Sequence, residues 1–161
     1  MWPFKRKQRI DPTTMEFVQI CMKQVGECVS LVNSTVSPQV FFGRLNMLLD
    51  LLLELRKYEK YGIFQNSTPT DDYNKVIGNL EKTVDDFIDR AIAANGQKIA
   101  KYKTEAAKER NKVKFILDLA DGFDMADTFW SGNPMMPHYE GRLYTEKNRD
   151  RIDDLVANMY L

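Results

Sequence analysis

Residues 40–55 read VFFGRLNMLLDLLLEL, and this stretch decides the fold. At about 100° per residue of α-helix, Phe41, Leu45, Leu48, Leu52 and Leu55 fall on one stripe. Phe42, Leu49 and Leu53 form an adjoining stripe, while Val40, Met47 and Leu51 widen the first on its other side. Asn46, Asp50, Glu54 and Lys57 make one continuous polar strip. An apolar arc over more than half of a helix's circumference has to be wrapped by neighbours. The segment therefore predicts an all-α, single-domain bundle of four to five helices with itself as the central staff.

Start and stop signals on either side set the order of elements. Asp11-Pro12 supplies an N-cap followed by proline at the first helical position. From there Val18, Cys21/Met22, Val25, Cys28/Val29 and Val32 recur at three-four spacing, predicting a helix over about 12–33. Ser37-Pro38 repeats the signal and opens the central helix, expected to run over 38–61 with Gly62 as its C-cap. A third helix is expected over 70–95, on the stripe Tyr73, Ile77, Leu80, Val84, Phe87, Ala91 and Ala94. The following series, Ile99, Tyr102, Ala106, Val113, Ile116 and Ala120, is out of register with it. The slip falls at Asn95-Gly96, a termination signal, so a separate or kinked helix is expected over 97–121. Beyond Gly122 the periodicity dissolves, and residues 129–144 read as an irregular aromatic and Met-rich segment. A last helix over 145–159 carries Ile152, Leu155, Val156 and Met159 on one face. Residues 1–10 (MWPFKRKQRI) stand apart as a basic, aromatic arm, leaving 11–161 as the bundle domain.

Composition narrows the function classes. With 161 residues and 23 basic against 23 acidic side chains, the chain can bury a core unaided and has no overall field for nucleic acid. The basic N-terminus is followed by Ile-Asp-Pro-Thr-Thr rather than an apolar run, which argues against a secretory signal. Arg44, Asp50 and Glu54 interrupt the longest apolar stretch, which argues against a membrane span. Cys21 and Cys28 lie seven residues apart on one helix, about 10 Å along its axis, too far for a disulfide. They are expected in the core as small hydrophobes. Together these features point to a cytoplasmic protein, with the inner face of the membrane as the alternative setting.

The common chemistries find little to work with. The eight glycines are isolated, so no glycine-rich loop can cradle a phosphate. A di-iron bundle needs two Glu-x-x-His pairs and a zinc site needs several nitrogen or sulfur ligands, but the chain has one histidine, His138. The series Asp118, Asp121, Asp124 and Asp127 lacks the EF-hand spacing and reads as a solvated face. No catalytic residue, cofactor, metal or small-molecule substrate is inferred, and an enzyme is the reading the residues support least.

Three surfaces remain as candidate contacts. In the arm, Trp2 and Phe4 beside Lys5, Arg6, Lys7 and Arg9 combine interfacial aromatics with a short basic cluster, suited to weak docking on an anionic membrane, the alternatives being a disordered tail or packing of the two aromatics into the bundle or a protein partner. Phe129, Trp130, Met135, Met136, His138 and Tyr139 either cap the open end of the bundle or grip a partner. Residues 97–114 hold seven basic side chains against two glutamates, with Lys98, Lys101, Lys108 and Lys112 expected along one side of a helix as a stripe for an anionic partner. The leading expectation is a non-enzymatic interaction or assembly protein, self-associating through the excess apolar surface of the central helix. A membrane-surface adaptor tethered by residues 1–9 ranks second, and a nucleic-acid accessory protein using the 97–114 stripe third.

Overall fold

A computed structural model describes residues 8–131 of the chain and, beyond them, Asp150 and Asp154. The described residues are all helix and loop, in the order α1 (Pro12–Ser34), α2 (Pro38–Arg56), a 3₁₀ turn (Glu59–Tyr61), α3 (Pro69–Gly78), α4 (Leu80–Ala100) and α5 (Glu105–Ser131). They form a helical bundle, as the leucine-dense stretch requires. The arm's residues 1–7 and the positions Met135, Met136, His138 and Tyr139 lie outside the described residues, as does the expected 145–159 helix apart from Asp150 and Asp154, both helical.

The first two helices begin where their cap signals stand. The Asp11 carboxylate accepts the Thr14 N–H at 2.9 Å and the Thr14 hydroxyl at 2.6 Å, which holds its carboxyl below the usual carboxylate range. Ser37 accepts the Val40 N–H ahead of α2. Inside the bundle, Phe41, Phe42, Leu45, Leu48, Leu49, Leu52 and Leu55 of α2 are buried. The stripe that widens the arc is not fully covered: Val40 and Met47 remain 38% and 36% exposed. The helix also ends earlier than expected, at Arg56. Gly62, at φ 67°, closes the 3₁₀ turn rather than α2, because the Lys57 and Tyr58 N–H groups have already tightened onto Glu54 and Leu55.

An aromatic stack joins α2 to its neighbours. Phe41 lies parallel to Phe87 of α4 at 4.1 Å between centroids. Phe42 meets Phe87 edge-on at 5.9 Å and Phe123 of α5 at 5.0 Å. Pairs in such geometries add about 0.5–1.5 kcal/mol beyond their buried area. Val18, Cys21 and Leu55 make a second, smaller cluster at the other end of α2, against which Ile10 packs. Arg90 of α4 donates to the carbonyls of Thr35 at 2.8 Å and Val32 at 3.0 Å. Its guanidinium thus satisfies the open C-terminal end of α1 and fixes the α1–α2 connection to α4.

Three further boundaries differ from those expected of the sequence. The expected 70–95 helix is two helices, broken at Asn79 (φ −103°, ψ 9°), yet its apolar stripe survives the break: Tyr73, Leu80, Val84, Phe87 and Ala91 are all buried. Asn95-Gly96 breaks nothing, and α4 continues to Ala100. The Asn95 side chain accepts a hydrogen bond from Asn111 of α5 at 2.9 Å, a lateral contact made from within an intact helix. The real turn comes at 101–104, where Thr104 caps α5 by accepting the Ala107 N–H. Finally, α5 passes through Gly122 to Ser131 instead of ending near 121, since Gly122, Phe123, Ala126 and Trp130 all face the core.

Gly96 has open space where a Cβ would sit and a helical backbone around it. Gly96→Ala should therefore stabilise the fold by about 0.5–1 kcal/mol, the difference in helix propensity. Chemical denaturation measures this directly; a destabilised variant would mean that a hinge is needed at this position.

Candidate functional site

A cleft of about 410 Å³ lies between α1, α2, α3 and the start of α4. Its floor is apolar. Val25, Val29 and Val32 line it from successive turns of α1, Leu45, Leu48 and Leu52 rise from α2, and Val76 closes it from α3. Asp72 and Lys75 of α3, with Asn79 at the α3–α4 junction, supply much of a polar rim. The sequence placed Val29 with the core stripe, but it is 40% exposed. A ten-residue α3 covers only part of the valine face of α1.

Local chemistry fixes α3 at its first turn. Thr68 caps the helix by accepting the Asp71 N–H at 3.2 Å, and Glu59 accepts the Thr70 N–H at 2.7 Å from the preceding 3₁₀ turn. Ser67 donates its hydroxyl to Asp72 at 2.7 Å, orienting that carboxylate at the rim. The rim's charged residues, Asp72 and Lys75, oppose one another in sign, so the cleft has no strong field to select an ion. The arrangement suits capture of apolar side chains with a few hydrogen bonds around them.

The predicted site residues are scattered, and several have other employment. Trp130 is not a surface grip: it is fully buried, a core side chain near the end of α5. Phe129 is half-buried and packs against the same core. Nothing local in the sequence marks either as helical, which is why the pattern there predicts an irregular segment. The four lysines do not share one helix. Lys98 is on α4, Lys101 follows its last turn, and Lys108 and Lys112 are on α5. Lys98 borders a cleft with Asn111, Phe115 and Asp118, whereas Lys112 borders another with Ile92 and Gly96. Lys108 and Lys112 pair with Glu105 and Glu109 one turn away, at 3.3 and 3.5 Å, which locally offsets their charge. Of the arm, Arg9 is described and is exposed.

Among the described residues no three His, Cys, Asp or Glu side chains are grouped to hold a metal ion. No described helix is long and apolar enough to cross a membrane. Cys21 and Cys28 are buried and unbridged. Burial pushes both thiols up, with Glu54 adding to the rise at Cys21. A raised folded-state value means each thiol contributes stability below its unfolded value of about 8.5. That contribution is lost as pH rises through the folded value. Thiol titration at pH 8 should find both cysteines unreactive in the native protein and both reactive in full denaturant; rapid native labelling would contradict their burial.

No protein family, curated protein or solved structure matches the chain.

Proposed function

We propose that this chain is a non-enzymatic interaction or assembly protein whose α1–α3 cleft receives apolar side chains from another protein surface or from a second copy. One observation carries the reading: the cleft floor stays open although the core beneath it is already closed. Val29 is 40% exposed directly above Val32, Leu45 and Leu48, which are at most 4% exposed. An apolar concavity rimmed by polar groups, with no converging nucleophile or general base, is suited to recognition. The neighbouring exposed Met22, at 45%, extends the apolar surface along α1 and gives a partner adaptable side chains to settle against.

Sedimentation velocity over a wide concentration range tests the self-associating form of the proposal. Association that rises with concentration and is lost in Val29→Glu supports it, provided the variant keeps its helical content. A strictly monomeric protein at high concentration removes self-association. A Val29→Glu variant that retains every association of the parent protein removes the cleft. No observation among the described residues favours the membrane or nucleic-acid readings.

A further inference from the structure

A separate cleft of about 270 Å³ lies where the start of α2 meets α4 and α5. Asn95 and Lys98 line it from successive turns of α4, and Asn111, Lys114 and Asp118 from successive turns of α5. Its apolar walls include Phe115 and the exposed Val36. A chain of hydrogen bonds fixes the two asparagines. The Tyr102 hydroxyl donates to Asn111 Oδ1 at 3.4 Å, and Asn111 Nδ2 donates to Asn95 Oδ1 at 2.9 Å. The chain ends on Asn95 Nδ2, whose N–H groups have no acceptor among the described residues. Lys98 and Lys114 likewise have no carboxylate partner there, unlike Lys108 and Lys112, which pair with glutamates.

We propose that this cleft binds a small organic monocarboxylate, its carboxylate taken by Lys98, Lys114 and Asn95 and its apolar body laid against Phe115 and Val36. The donors set the sign of the ligand. Two ammonium groups and an unspent amide favour an anionic oxygen head, and charge-assisted hydrogen bonds are the strong ones. Asp118 sets how much charge that head carries. Among the described residues it is the one carboxylate lining the cleft, a turn beyond Lys114 on α5, so the charged groups there leave a single net positive charge. A monoanion neutralises that charge, whereas a doubly charged phosphate leaves a surplus beside Asp118. Volume sets the size. A cavity of about 150 Å³ already takes a benzene ring, so a ring with its carboxylate fits within about 270 Å³. The site is independent of the α1–α3 cleft, with which it shares no lining residue.

Nuclear magnetic resonance titration of the isotope-labelled full-length protein tests the assignment with three probes. Benzoate should shift the side-chain amide signals of Asn95 and Asn111 and leave the backbone amides of α3 in place. Benzyl alcohol, which keeps the ring without the charge, should bind on the order of tenfold more weakly, as should doubly charged phenyl phosphate. Lys98→Gln/Lys114→Gln should weaken benzoate binding on the order of tenfold or more. Both lysines are exposed, so the variant keeps its fold. Asp118→Asn should reverse the order of the two anions, because the opposing carboxylate is gone. A benzoate titration that moves neither asparagine overturns the proposal. So does benzyl alcohol that binds as well as benzoate, or a double lysine variant that binds benzoate like the parent. Phenyl phosphate that outbinds benzoate in the parent, or an unchanged order in Asp118→Asn, overturns the choice of a monocarboxylate.

Discussion

Gly122→Ala is expected to destabilise the fold by on the order of 2 kcal/mol, although adding alanine to a helix ordinarily helps. A Cβ built at Gly122 comes within 2.8 Å of Phe42 Cε2 and closer still to Cδ2. The Phe42 ring has no free volume to retreat into, because Phe41, Phe87 and Phe123 contact it. Either α5 moves outward or the aromatic stack re-forms around the methyl group, and overpacking of this kind costs about 1–3 kcal/mol. The gain in helix propensity, up to ~1 kcal/mol, offsets only part of that. For a chain of this size a net loss of ~2 kcal/mol lowers Tm by roughly 4–8 °C, readable by circular dichroism. Phe42→Leu in the Gly122→Ala background should cost much less than Phe42→Leu alone, since the smaller side chain relieves the clash. A Gly122→Ala protein as stable as the parent would show that α5 does not press on α2 at this point.

Trp130→Ala should be more damaging, at about 3–5 kcal/mol, a large share of the total stability of an ordinary domain. Trp130 is the largest fully buried side chain among the described residues. The denaturation midpoint measures the loss. Phe129→Ala, truncating a neighbour that is only half-buried, should cost appreciably less. Were Trp130 a partner-gripping surface residue, its truncation would change stability by no more than about 0.5 kcal/mol. The two outcomes are far apart.

What the sequence disclosed and what it concealed divide along the range of the interactions involved. The starts of α1 and α2 were legible because Asp11-Pro12 and Ser37-Pro38 act within one turn. The burial of α2 was legible because its arc is too wide to leave in water. Asn95-Gly96 misled because a turn signal states only a local preference. One glycine costs a helix about 1 kcal/mol, which packing against α5 and the Asn111–Asn95 bond readily offset. Gly78-Asn79 carried an equally good stop signal, hidden by a stripe whose register survives the break. Gly122 and Trp130 were opaque for a different reason. Their roles depend on Phe42 and the rest of the aromatic cluster, far away in the chain, and no periodicity reports on that. The cleft was concealed likewise. The α1 valines give the same pattern whether a neighbour covers them fully or stops short, and only the length of α3 decides.

The double grip of Arg90 on the carbonyls of Val32 and Thr35 constrains how the molecule can breathe. It latches the corner between α1 and α2 to α4, so those three helices travel as one block. Any widening of the valine-floored cleft therefore falls to α3, the shortest α-helix among the described residues, held between Asn79 at one end and the tether that Glu59 provides at the other.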